Sequence, residues 1–67
     1  MSVVVVATTR GAAEDTARRL RTEGFLARAA RRRGKPLVIV HCLNDERDAV
    51  VERVKRVDAG ARPISAA

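Results

Sequence analysis

Two runs of apolar residues dominate the hydrophobic pattern of this 67-residue chain. Residues 3–6 are four valines, and residues 37–40 read Leu-Val-Ile-Val. β-Branched residues favour strands, and an apolar run without polar alternation is typical of a strand buried on both faces. The pattern therefore predicts two central strands of one sheet, over residues 2–8 and 37–42.

Two further segments carry apolar residues at helical spacing. Side chains three or four positions apart lie on one face of a helix, so residues 12–23 and residues 46–58 are predicted to be helical. Gly24 and Gly60 follow these segments, where glycine commonly ends a helix. The apolar stripes consist of Ala13, Ala17 and Leu20 in the first segment and of Val50, Val54 and Val57 in the second.

A half-polar strand is predicted over residues 25–31, where arginine interrupts the apolar positions as expected at a sheet edge. The following Arg-Arg-Gly-Lys, residues 32–35, predicts a tight hairpin turn with Gly34 at positive φ. Residues 62–65 offer a short fourth strand, which Pro63 restricts to an edge or a loose tail.

The predicted order is therefore β-α-β-β-α, with a final β left open. This order indicates one α+β domain over residues 1–67 with the ferredoxin-like split β-α-β arrangement, an antiparallel sheet and both helices on one face. Strands one and three are central in that topology, which agrees with the two apolar runs. A Rossmann-like parallel arrangement is the alternative, although the short turn favours an antiparallel hairpin.

Helices on one face would leave part of each apolar run uncovered on the other. A contiguous apolar patch of this kind tends to mark an interface, so we expect a homodimer, or a higher oligomer, packed sheet to sheet. The alternative is that the aliphatic stems of arginine side chains cover the patch. The residues predicted to line the oligomer interface are Val4, Val6, Val38 and Val40.

Reactive side chains are scarce, since Cys42 is the one cysteine and His41 the one histidine. An internal disulfide is excluded, and the usual zinc ligand sets cannot be assembled within one chain. Adjacent residues of a strand point to opposite faces, so these two cannot form a Cys–His dyad with each other. We therefore expect a non-enzymatic interaction or regulatory module without metal or cofactor, in which self-association stabilises a small core.

The net charge of +6 lies entirely in the first half of the chain. Residues 10–35 hold nine Arg or Lys and three acids, whereas residues 36–67 hold five of each sign. This asymmetry predicts an acidic partner, and the alternative function is that of a nucleic-acid-binding accessory protein. An RNA-recognition motif has this order of elements, but it stacks bases on aromatic residues that strands one and three lack here. The expected anion or nucleic-acid contacts are Arg10, Arg28, Arg31, Arg32, Arg33 and Lys35.

The segment Thr8-Thr9-Arg10-Gly11 joins a strand to a helix N-terminus, a position that suits an anion or a simple helix cap. It matches neither of the glycine-rich phosphate-binding patterns. The apolar run at the start is too short for a signal peptide, and no stretch approaches the ~20 apolar residues of a membrane span. The sequence therefore predicts a cytoplasmic protein without membrane contact.

Overall fold

Four strands and two helices follow one another in the computed structural model, which describes residues 2–64. The strands are β1, Ser2–Val6; β2, Leu26–Arg32; β3, Lys35–His41; and β4, Arg62–Pro63. The helices are α1, Arg10–Thr22, and α2, Arg47–Val57, with a single 3-10 turn, Asn44–Glu46, directly before α2.

The four strands form one open sheet in the order β2-β3-β1-β4, and every neighbouring pair is antiparallel. The prediction that strands one and three are central is confirmed, and the parallel alternative is wrong. The fourth strand is shorter than the predicted residues 62–65, although the backbone N–H of Ile64 still donates to the Val4 carbonyl at 2.8 Å. Ser65 lies outside the described residues.

The hairpin between β2 and β3 fixes which residues of these strands share a face. Arg33 and Gly34 have φ values of 53° and 78°, so a two-residue turn joins the strands as predicted. Arg32 lies opposite Lys35, and Arg28 lies opposite Ile39. Directly opposed residues point to the same face, so the turn sets the register of the whole hairpin.

Helix α1 begins earlier than predicted because Thr9 caps it, with the side-chain oxygen accepting from the Ala12 N–H at 3.0 Å. It ends in a Schellman motif, in which the Phe25 N–H donates to the Leu20 carbonyl at 3.0 Å. The half-buried Phe25 then packs against the core. Within residues 2–64, neither helix combines the length and the apolar character that crossing a membrane requires.

Buried side chains of both helices and of one face of the sheet, here called the covered face, form one core. Val3 opposes Val40 and Val5 opposes Val38, and all four are at most 2% exposed. The helices contribute their predicted stripes, except that Val57 is only half-buried. The helical residues in the core are Ala13, Ala17 and Leu20 of α1 and Val50 and Val54 of α2.

Candidate interaction surface on the open sheet face

The opposite side of the sheet, here called the open face, carries a second set of apolar side chains. Val4 opposes Ile39 and Val6 opposes Leu37 at the centre of the sheet. Val4, Val6 and Ile39 are half-buried, and Leu37 is 5% exposed. The helical core residues pack with the covered face. The four residues therefore form an apolar centre in which Val4, Val6 and Ile39 border solvent and Leu37 is buried.

This geometry corrects half of the predicted oligomer interface. Val38 and Val40 belong to the covered face and are 0% exposed, so they cannot line a surface. The prediction was wrong for them because successive strand residues alternate between faces, and an uninterrupted apolar run does not reveal which set faces the helices. Val4 and Val6 do lie on the open face, where their partners are Leu37 and Ile39.

Arginine side chains surround the apolar centre of the open face. Arg28 lies opposite Ile39 on one side, and Arg62 lies opposite Val6 on the other. A shallow cavity of about 210 Å³ lies between the apolar and the basic residues. Aliphatic arginine stems can shield apolar surface while their guanidinium groups stay in water. The cavity is lined by Val4, Arg28, Ala30, Arg31, Arg32, Leu37 and Ile39.

Apolar surface continues to two outer positions of the sheet. Leu26 is 72% exposed at the start of β2, and Ile64 is 47% exposed next to β4. Leu26 lies opposite His41, whose Nδ1 is 3.0 Å from the Ser2 hydroxyl. The apolar surface of the open face therefore reaches beyond the two central strands.

Charge is separated between the sheet and the helices. None of the described strand residues is an acid, because all eight acids lie in the helices, in the 3-10 turn or in their connections. Within residues 2–64 the ion pairs join Asp15 to Arg18 and Arg19, and Glu23 to Arg53. The Arg18 hydrogen bond, together with the nearby charge of Arg19, lowers the pKa of Asp15. Helical arginines are thus partly neutralised, whereas the strand cations leave the sheet positively charged.

The six predicted cationic contacts do not form one cluster. Arg28, Arg32 and Lys35 belong to strand positions on the open face, and Arg33 lies at the tip of the turn. Arg10 is the first residue of α1 and meets Arg31 at a groove beside β2. The sequence groups these cations by position in the chain, whereas the fold divides them between two surfaces.

The loop between β1 and α1 is a candidate anion site, and a carboxylate of the chain itself occupies the two donors of Thr8. The backbone N–H and the hydroxyl of Thr8 each donate to Asp58 at 2.8 Å. Asp58 follows α2 and is 6% exposed. The donors of Thr8 therefore hold the end of α2 against the end of β1.

The contact between Thr8 and Asp58 is not predicted by the sequence, and Gly60 is part of it. A Cβ atom at position 60 would lie 2.5 Å from Cγ2 of Thr8, which is too close for any side chain to fit without movement. The prediction that Gly60 ends the second helix is wrong, because α2 ends at Val57 with Asp58 as its C-cap; Gly60 instead permits this close approach. The sequence signal is weak, because the two loops are about 50 residues apart.

His41 and Cys42 point apart, as predicted for neighbours at the end of a strand. His41 is exposed and faces Ser2, whereas Cys42 is half-buried and packs against the core. In the part of the chain that the structure describes, no three His, Cys, Asp or Glu residues come together in a way that could hold a metal ion. The most distinctive surface is thus the apolar and basic open face.

No protein-family model matches this chain, and a search of curated proteins gives no significant match.

Proposed function

We propose that this chain is a small, non-enzymatic interaction module that forms a homodimer through the open face. The observation that supports the proposal most strongly is the apolar centre formed by Val4, Val6, Leu37 and Ile39, which no helix covers. Burial of apolar surface is the main driving force of protein association, and a second copy supplies a matching apolar face. The module is taken as non-enzymatic because His41 and Cys42, its reactive side chains, point apart.

The proposed fold type is the ferredoxin-like split β-α-β arrangement. Its support is the antiparallel sheet with β1 and β3 at the centre, together with the joint core of both helices on the covered face. Such a fold leaves one sheet face without a helical layer. A second sheet packed on that face would complete the layer.

The cationic rim gives the proposed dimer a characteristic salt dependence. Two copies facing each other bring their arginines together, and like charges repel. Salt shortens the screening length from about 30 Å at 0.01 M to about 8 Å at 0.15 M, so added salt weakens this repulsion. The homodimer is therefore expected to tighten as salt increases.

Sedimentation equilibrium across a concentration series tests the proposal with Ile39→Asp. The wild type is expected to move from monomer to dimer as concentration rises, and more readily at higher salt. Ile39→Asp is expected to stay monomeric, because it places a carboxylate at the centre of the interface.

Ala49→Asp is the matched control, since it adds the same charge at an exposed position of α2. It is expected to dimerise like the wild type. A wild type that remains monomeric at every concentration, or an Ile39→Asp variant that dimerises normally, contradicts the proposal.

A second candidate function is the binding of nucleic-acid phosphates by the basic hairpin. The favouring observation is that the cations of β2 and β3 have no acid in any described strand beside them. Phosphate binding weakens steeply with salt, in the opposite direction to the proposed dimer. A gel shift of a single-stranded oligonucleotide that is present at low salt and lost at high salt would favour this function, and no shift at low salt rejects it.

A further inference from the structure

The outer edge of β2 carries backbone groups that no strand of residues 2–64 pairs with, because β2 lies at the end of the sheet order. The register identifies these groups. The Pro36 carbonyl accepts from the Ala7 N–H at 3.0 Å, so the backbone of Pro36 is directed towards β1. Backbone direction alternates along an antiparallel strand, which directs Leu37 and Ile39 towards β2. The β2 residues opposite Leu37 and Ile39 direct their backbone N–H and C=O groups towards β3. The residues between them, Ala27, Ala29 and Arg31, direct these groups outward, away from the sheet.

One of these outward groups is already occupied by a side chain. Arg21, in the last turn of α1, donates from Nη1 to the Ala27 carbonyl at 3.0 Å. This contact supports the assigned backbone direction, and it closes one end of the edge. Covering an edge strand is a common protection against unwanted pairing. Ala29 and Arg31 remain as the accessible part of the edge, with two N–H donors and two carbonyl acceptors.

A groove of about 240 Å³ runs beside this accessible part, between β2 and the beginning of α1. Ala13, Ala29 and Pro36 give it a narrow apolar floor, since their side chains are small or compact. Arg10 and Arg31 are exposed on its rim, and Glu14 is the one acid that lines it. Small side chains allow another backbone to approach β2, and the arginines favour a partner with negative charge.

We propose that this groove binds an extended acidic segment of another protein by strand addition to β2. The segment's backbone would exchange hydrogen bonds with Ala29 and Arg31, as in other cases where a peptide extends a sheet edge. Its carboxylates on the helix side would pair with Arg10 and Arg31. Backbone bonds supply affinity, and the two arginines select for acidic sequences. Ala30 and Arg31 also line the cavity of the open face. Strand addition nevertheless uses the outward backbone groups of β2 and does not depend on self-association.

A second copy of β2 fits the edge less well than an acidic segment does. Symmetric antiparallel pairing about Ala29 would set Arg28 of one copy diagonal to Arg28 and Arg32 of the other. Neighbouring like charges across strands are destabilising. Arg21 would also have to release the Ala27 carbonyl. An acidic strand replaces this repulsion with attraction.

Fluorescence polarisation with a short labelled peptide of alternating threonine and glutamate tests the proposal. The same peptide with backbone N-methyl groups at alternate residues, on the side facing β2, keeps the charge but loses the hydrogen-bond donors. On the protein, Ala29→Pro removes an outward N–H without removing a bond to β3, and proline is tolerated at an edge. Arg31→Glu reverses the charge at the groove, and Lys55→Glu makes the same charge change on α2.

The wild type and Lys55→Glu are expected to bind the unmodified peptide equally. N-methylation, Ala29→Pro and Arg31→Glu are each expected to weaken binding about tenfold or more, since each removes hydrogen bonds or a charge pair. Thermal melts check that the variants fold. If Ala29→Pro does not fold, the N-methylated peptide still tests whether backbone hydrogen bonds contribute to binding.

Four results would overturn the proposal. Equal binding of the N-methylated peptide would show attraction by charge alone. An oligouridine that binds more tightly than the peptide, regardless of Ala29→Pro, would assign the groove to nucleic acid. A dimer that Ala29→Pro abolishes would assign the edge to a second copy. Absence of peptide binding by a folded wild type also rejects strand addition.

Discussion

The covered face and the open face are built from the same two strands and from nearly the same residue types. On the covered face, Val5 and Val38 are 0% exposed in the core that they share with both helices. On the open face, Val4 and Ile39 are half-buried among arginine side chains. Neighbours in sequence thus face different environments. Among Val3–Val6 and Val38–Val40, burial follows which face a position points to, whereas Leu37 of the open face is only 5% exposed.

The two faces also differ in whether their polar groups contact other protein groups or water. The covered face is closed at one end by Asp58, which accepts two hydrogen bonds from Thr8. The open face has cations on its rim that remain in contact with water. A charge introduced into the covered face has no such route to solvent, because side chains of the sheet and of both helices surround it. This contrast sets the order of the expected effects below.

The largest expected effect is the difference between Val5→Asp and Val4→Asp. Val5→Asp buries an unpaired carboxylate and should cost more than ~4 kcal/mol, about the whole stability that a core of this size supplies. Val4→Asp places the same group on the open face, within reach of water and near the Arg28 side of the sheet, and should cost about 1 kcal/mol. Circular dichroism with thermal melting measures both variants.

We expect Val5→Asp to be unfolded at room temperature and Val4→Asp to be folded but monomeric. The two variants have the same composition, so each is the control for the other. Equal loss of structure in both variants would mean that the open face excludes water as completely as the covered face does.

Much of the fold could be predicted from local signals. The two-residue turn at Arg33 and Gly34, the stripes of both helices and the apolarity of the central strands each indicated the element that the structure shows. The ends of the elements shifted because they depend on single contacts, such as the Thr9 cap at the beginning of α1. Contacts of that kind depend on geometry that composition does not specify.

Which residues of β3 face the core could also be predicted, although the apolar run alone does not indicate it. The hairpin turn sets Arg32 opposite Lys35 and therefore Arg28 opposite Ile39. Arg28 and Arg32 share the face of Ile39, whereas Arg31 alone shares the face of Val38, so the arginines favour Ile39 on the open face and Val38 on the covered face. The parity of β1 has no such marker, because its register with β3 depends on how α1 crosses over the sheet. The contact of Thr8 with Asp58 is likewise a product of tertiary structure.

A smaller effect is expected when the closed end of the covered face is opened. Asp58→Ala leaves the N–H and the hydroxyl of Thr8 without their acceptor, which should cost about 1–3 kcal/mol. For a domain of this size each kcal/mol corresponds to roughly 4–8 °C in Tm. Urea unfolding followed by circular dichroism gives the change in the free energy of unfolding.

Asp48→Ala is the matched control, since Asp48 is an exposed aspartate in the first turn of α2. Its loss should cost less than about 1 kcal/mol through the helix dipole. If Asp58→Ala destabilises the protein no more than Asp48→Ala does, then the contact between Thr8 and Asp58 does not fasten the two loops.

The smallest expected effect is a gain in stability at Thr16, on the side of α1 that faces the sheet. Thr16 is 0% exposed, and its hydroxyl has no hydrogen-bond partner among residues 2–64. Thr16→Val keeps the shape and removes the unpaired polar group, so the free energy of unfolding should rise by about 1 kcal/mol.

Thr22→Val on the same helix is the control, because the exposed Thr22 hydroxyl donates to the Arg18 carbonyl at 3.1 Å and its loss should bring no gain. Thermal melts compare the stability of each variant with that of the wild type. A Thr16→Val variant that is less stable than the wild type would mean that the hydroxyl is satisfied in solution, and that the covered face is more polar than its side chains indicate.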